Sequence, residues 1–180
     1  MASTSIIISV PFAAIMALAA ATDLRDRRIP NVLTVAGVVV GPVLWGLLEG
    51  PGAAFASVVG GACALLVGLG LFMVGAIGGG DAKLLAVTGA FLGPARLVNA
   101  LLVIGITGGL LALVVAVARG RLLGTVATTW SFAVDLVTHR EAGKARGLGA
   151  PGALTIPYGV AIAAGSLLTW FALGSGILAR

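Results

Sequence analysis

Asp23 and Asp81 stand out among the six acidic residues of the chain, because each lies where an apolar stretch meets a polar one. Two carboxylates held a few ångström apart cannot easily both ionise, so they share a proton. The ionised member can then act as general base on a water. The protonated member can polarise a peptide carbonyl and later donate to the leaving amine. That is aspartic-type peptide hydrolysis, and it needs no metal or cofactor. Such a pair titrates as a unit, so the sequence leaves acid and base unassigned.

The residues around them matter to that chemistry. Gly78, Gly79 and Gly80 precede Asp81, and Lys83 follows it. Glycines permit backbone conformations closed to other residues and the close approach of another chain, such as a peptide substrate. The plainer alternative is a glycine-rich turn carrying a solvated Asp81. Pro30 and Asn31 punctuate the start of an apolar run shortly after Asp23, where Pro suits a first helical turn. Lys83 either tunes Asp81 or, the preferred reading, anchors its helix end, and Asp26 reads as a solvated partner of Arg25, Arg27 or Arg28. Other chemistries find no partner set. His139 is the single histidine and Cys63 the single cysteine, so neither a metal site nor an intramolecular disulfide follows. Cys63 reads as a packing residue. Ser57, Thr88 and Thr107 lack a histidine within the apolar runs to serve as base, and Asn99 could bond across helices.

Composition sets the solvent. Of 180 residues, 59% are hydrophobic and 9% charged, against about 25% charged in an ordinary soluble domain. Lipid must therefore be the main solvent, and an all-α bundle is the expected fold. The 28 glycines then argue for close helix packing rather than loops. The net charge of +5 does not point to nucleic acid, because the basic residues lie in loops between apolar runs.

Apolar runs at residues 5–22, 32–48, 53–77, 84–92, 97–118 and 154–173 predict about six spans in one domain, residues 1–180. The first is expected to stay in place rather than be cleaved as a signal peptide, since no basic segment precedes it. The run at 84–92 is short for a crossing and either begins within the glycines, crosses at a thin place, or re-enters. With the N-terminus outside and every run crossing, the inner loops hold Arg25, Arg27, Arg28, Lys83, Arg119, Arg121, Arg140, Lys144 and Arg146, and the outer side only Arg96 and Arg180. That bias supports a cytoplasmic face carrying both Asp23 and Asp81. In the polar stretch at about 119–150, Trp130, Ala133, Val134 and Val137 have helical spacing, so it is either an interfacial helix or an ordered loop.

The motifs have a family look. Gly78-Gly79-Gly80-Asp81 has the form G-x-G-D and is followed by Ala82-Lys83-Leu84-Leu85. Asp23 stands shortly before Ile29-Pro30-Asn31, and Ile156-Pro157-Tyr158-Gly159 stands near the C-terminus. In this order they resemble the type IV prepilin peptidase family of membrane aspartic proteases, over residues 13–165. The resemblance implies that Asp23 and Asp81 are the catalytic pair. It implies cleavage of the basic leader of a prepilin or pseudopilin at the cytoplasmic face, just before the pilin's apolar helix. It further implies a multi-pass protein of the inner (cytoplasmic) membrane, with the lipid bilayer and the pilus-assembly machinery as partners, no cofactor and no metal. Long members carry a cysteine-paired cytoplasmic insertion and also N-methylate the product. Here the first apolar run begins at about residue 5 and Cys63 is the single cysteine, so the resemblance is expected to be to the short form of tight-adherence (Tad/Flp) pilus systems, with methyl transfer not expected. A short archaeal preflagellin-type peptidase is similar in chemistry. The readings from other classes are a small proton-coupled transporter or channel component with the aspartates as relays, and a non-catalytic assembly scaffold.

Overall fold

A computed structural model describes residues 2–120 and 157–174 of the chain. The described residues form helices α1 (Ala2–Asp26), α2 (Asn31–Glu49), α3 (Pro51–Met73), α4 (Gly79–Leu92) and α5 (Pro94–Ala118), with α6 (Tyr158–Gly174) as the sixth described helix. No strand occurs among them. The stretch at about 119–150 expected to form a loop or interfacial helix, with Trp130 and His139, lies outside the described residues from 121 onward.

Breaker residues set the helix ends. Gly50 and Gly93 adopt positive φ, at 91° and 73°, a region that disfavours side chains. Each is followed by a proline, Pro51 or Pro94, at the start of the next helix, where a missing N–H costs nothing. Pro30 is extended (φ −61°, ψ 134°) and its carbonyl receives the amides of Leu33 and Thr34. Between α1 and α2, Arg27 takes a left-handed φ of 51° and closes α1 through its amide to the Asp23 carbonyl at 3.0 Å, so the chain reverses there.

Four helices are long and apolar enough to cross a membrane: Ile6–Asp26, Asn31–Glu49, Pro51–Met73 and Pro94–Ala118. Their outward faces carry large apolar side chains, among them Val32, Leu47, Phe55, Leu66 and Leu102. In water such a surface would aggregate, whereas lipid solvates it. Cys63 is on this outer surface and is not the interior packing residue expected. The apolar run around it gave no clue to its face, because α3 is apolar all round.

The short α4 is the centre. Its 14 residues span about 21 Å at 1.5 Å per residue, less than a hydrocarbon core of about 30 Å. Ala82 and residues 84–92 are buried, which is why the stretch shows no polar face. It begins within the glycines, one of the openings the sequence left. The α3–α4 seam is made of small residues. Gly60, Gly61, Ala64 and Gly68 of α3 run antiparallel to Gly89, Ala86, Ala90 and Ala82 of α4. From α2, Gly37 and Gly41 meet Val87 and Ala90, so Ala90 touches both α2 and α3. Phe91 stacks on Phe12 of α1 with ring centroids 4.8 Å apart.

A helix ending inside apolar surroundings leaves carbonyls that must find donors. Ser57 of α3 donates its hydroxyl to the Ala90 carbonyl, and Trp45 of α2 donates its indole N–H to the Phe91 carbonyl at 3.0 Å. Thr88 and Ser166 join α4 to α6 at 2.8 Å, and Thr107 donates to the Ala161 carbonyl across α5 and α6 at 3.1 Å. The hydroxyls without a catalytic partner thus serve as links between helices.

The pairings fix an alternating arrangement. Ser9 meets Trp170 at one end of the α1–α6 pair, and Asp23 meets Gly159 at the other. One end of the bundle therefore collects the C-terminus of α1, the N-terminus of α2, the C-terminus of α3, and the N-termini of α4 and α6.

Candidate active site

Asp23 is in the last turn of α1, within the helix and not in the polar break after it. Its side chain is turned inward, leaving the residue 7% exposed. The neighbouring arginines point out: Arg25 reaches Asp26 at 3.9 Å, with both side chains largely exposed. That long, solvated pair contributes little. The charge of Arg27 acts instead on Asp23.

The carboxylate of Asp23 faces the first turn of α6, where the backbone N–H groups of Gly159 and Val160 point to it. Its Oδ2 is buried and accepts no hydrogen bond among the described residues. A Cβ at Gly159 would lie 2.8 Å from that oxygen, closer than packed atoms allow, so the carboxylate occupies space that only a glycine leaves free.

Asp81 is in the first turn of α4, outside the four long spans. Its Oδ2 accepts the Gly78 N–H at 3.0 Å, so the side chain caps its own helix. Burial pushes the Asp81 carboxyl up, the Gly78 hydrogen bond draws it down, and the nearby charge of Asp23 pushes it up again, leaving it at about 6. The pair is thus close enough to couple electrostatically, with no hydrogen bond between the two carboxylates. Tyr158, the first residue of α6, lies within reach of the Asp81 charge. Its ring sits against α5 at Gly108, where a Cβ would lie 2.9 Å from the ring edge and the hydroxyl.

The glycines before Asp81 do something other than expected. Gly78 is extended, with φ −78° and ψ 160°, and Gly79 and Gly80 are helical. None adopts a positive φ, so the segment is a helix start and not a loop with unusual backbone. Space is tight at Gly78 alone, and at Gly79 and Gly80 an added Cβ would make ordinary contacts. A Cβ at Gly78 would lie 3.1 Å from Asp81 Oδ2, one at Gly79 3.6 Å from the Phe72 ring, and one at Gly80 3.4 Å from Ile29. Lys83 donates to Asn31 Oδ1 at 2.8 Å, so the anchor expected of Lys83 ties α4 to the start of α2 beside Pro30.

Ile29, given no role by the sequence reading, sits between the two seats. Besides Gly80, its Cδ1 would be 3.0 Å from a Cβ at Gly159. It braces the first turns of α4 and α6 from the α1–α2 connection. Gly159 and Tyr158 also had no assigned role. The available signal was the motif Ile156-Pro157-Tyr158-Gly159 at the head of the last apolar run. Among the described residues, no group of three or more His, Cys, Asp or Glu side chains could hold a metal ion.

Two coupled carboxylates at one end of an apolar helical bundle is an arrangement to set beside known proteins. Residues 10–113 match the sequence model of the Type IV leader peptidase family. The chain belongs to that family. The match runs from α1 into α5 and so contains both Asp23 and Asp81, whereas Tyr158 and Gly159 lie beyond it. No curated protein and no solved structure matches the chain. As a Type IV leader peptidase family member with several helices apolar enough to span a bilayer, it is a protease-like, multi-pass membrane protein.

Proposed function

We propose that this protein is a membrane aspartic endopeptidase that removes the basic leader of type IV prepilin-like proteins, with Asp23 and Asp81 as its catalytic pair. The observation that carries this reading is the coupling of these two carboxylates, from helices 58 residues apart in sequence (81 − 23), at one end of the bundle. Both lie inside the region matched to the leader peptidase family. A carboxyl held at about 6 beside a second carboxylate gives an acid and a base near neutral pH, as peptide hydrolysis requires.

The charge bias of the loops supports a cytoplasmic location for this end of the bundle, in the inner membrane. A prepilin would lie with its apolar helix along the bundle and its basic leader in the cytoplasm. The cut then falls at the membrane boundary, beside the first turns of α4 and α6. Pilus-assembly proteins would receive the product. The transporter reading has less support, because a relay needs ionisable groups along the path. Among the described residues Asp23 is the one buried ionisable side chain, and Glu49 and Arg96 at the opposite end are exposed.

The test is co-expression of the protein, or its Asp23→Asn or Asp81→Asn variant, with a prepilin. Both variants should insert normally and leave the precursor uncut on a gel. Full processing by the Asp81→Asn variant would end the proposal.

A further inference from the structure

The two carboxylates are seated differently. Asp81 is engaged by the amide of its own helix, Gly78 N–H at 3.0 Å. Asp23 is turned to the start of another helix, where the backbone N–H groups of Gly159 and Val160 face it, the latter also donating to the Pro157 carbonyl at 3.2 Å. Such a first turn carries the positive end of the helix dipole and favours an anion. Asp23 Oδ2 is buried and accepts no hydrogen bond among the described residues. A proton acceptor needs such an unoccupied lone pair. Gly159 opens the seat, since a Cβ there would lie 2.8 Å from Oδ2 and 3.1 Å from Cγ of Asp23.

The charged surroundings are few. Arg27, on the turn that follows α1, acts on Asp23. On the same stretch, Arg25 and Asp26 face each other in solvent and Arg28 is exposed. From α4 come Asp81 and Lys83, from α6 comes Tyr158, and from α2 the neutral Asn31, which accepts from Lys83.

We propose that the first turn of α6, opened at Gly159, is an anion seat that makes Asp23 the more readily ionised of the two carboxyls, and so makes Asp23 the base and Asp81 the acid. Gly159 is then a positioning residue for the reaction. The roles rest on the peptidase reading above, while the seat itself does not. In the step, Asp23 Oδ2 takes a proton from water as the water oxygen bonds to the scissile carbonyl carbon. Asp81 hydrogen-bonds the oxyanion that forms. When the C–N bond breaks, Asp81 gives its proton to the leaving nitrogen, and the carbonyl re-forms as a carboxylic acid. The proton held by Asp23 then passes to Asp81, restoring both groups.

Infrared titration of the full chain with 13C-carboxyl aspartate in lipid nanodiscs tests the seat without substrate. With Asp26 and Asp135 replaced by Asn, the label reports Asp23 and Asp81 alone; in that background Asp23→Asn should remove the carboxyl transition at lower pH, and Asp81→Asn the one at higher pH. Gly159→Ala should raise the Asp23 transition by about half a pH unit or more, as expected for loss of a helix-terminus interaction. With a synthetic peptide bearing a basic leader and an apolar helix, the acidic limb of kcat/KM should move up equally. Arg27→Gln, at an exposed position, should move both in the same direction by less. Removal of the higher transition by Asp23→Asn overturns the assignment. An even loss of activity across pH in Gly159→Ala, with no shift, marks a merely structural glycine and overturns the seat. Should Gly159→Ala fail to insert, Arg27→Gln and the two Asp→Asn titrations decide alone. If the unaltered protein never cuts the peptide, the peptidase reading fails, and the infrared order still judges the seat.

Discussion

Gly60 of α3 and Gly89 of α4 meet backbone to backbone, so that a Cβ on either would collide with the carbonyl oxygen of the other. This crossing holds the buried α4, and hence Asp81 about two turns away, against α3. In lipid no hydrophobic force presses helices together, so close backbone approach has to supply the packing. Gly89→Ala should therefore destabilise the protein by about 1–3 kcal/mol, the usual cost of overpacking. Gly70→Ala, where nothing lies within 4 Å, should be neutral or stabilising by up to about 1 kcal/mol, because Ala is the better helix former. Reversible unfolding in mixed micelles measures both. Equal effects at the two positions would contradict the close crossing.

The buried end of α4 makes a second prediction. Trp45→Phe removes the indole donor from the Phe91 carbonyl and Ser57→Ala removes the hydroxyl from the Ala90 carbonyl. Each should cost about 0.6–2 kcal/mol, the range for interhelical hydrogen bonds in membranes. Amide hydrogen exchange should rise in the last turn of α4. Unchanged protection there in both variants would show that these donors are dispensable.

Ile29 separates position from stability. It touches the first turns of α4 and α6 at Gly80 and Gly159, yet it is only partly buried. Ile29→Ala should lower stability by about 1–2 kcal/mol, below the usual range for a fully buried site. Leader cleavage per folded molecule should fall by about tenfold, since a shift of order 1 Å at reacting groups is costly. Full specific activity in the folded fraction would remove Ile29 from the site.

The Asp81 carboxyl ties stability to pH. Its folded value of about 6 lies above the ordinary 3.8, so folding favours its protonated form. The contribution is fully present below about pH 3.8 and is lost as pH rises through about 6. Asp81→Asn, which cannot ionise and can still accept from Gly78 N–H, should exceed the unaltered protein in stability at pH 7–8 by on the order of 1–3 kcal/mol. The gap should close below pH 4. Unfolding midpoints across that range measure it, and a gap that is constant with pH would contradict the raised carboxyl.

Much of the bundle was legible in the chain. The apolar runs between Gly50-Pro51 and Gly93-Pro94 became helices with ends within a few residues of those expected, because those breakers act locally. The run expected to extend to Ile77 instead ends at Met73, where the Val74 and Gly75 amides form turn bonds. Hydropathy sees no difference between an apolar turn and an apolar helix. The glycines at 78–80 were visible, but the crowding of Gly78 by the Asp81 carboxylate was not. A sequence shows that a side chain is absent, and only the neighbours show what stands in its place.

Residue types alone placed the protein in lipid, since 9% charged residues cannot solvate a water-facing surface. They also marked Asp23 and Asp81, because a carboxylate beside an apolar run is too costly to be incidental. Which face each helix buries, and what meets there, only the tertiary structure decided. Helices that are apolar all round carry no stripe to orient them, so packing of small residues sets their rotation. That rotation turns Asp23 inward to Gly159, sets Ile29 between the two first turns, and leaves Cys63 on the outer surface. The partners of Asp23 come from a helix more than 130 residues away in the chain (159 − 23 = 136), a distance over which local sequence patterns carry no information.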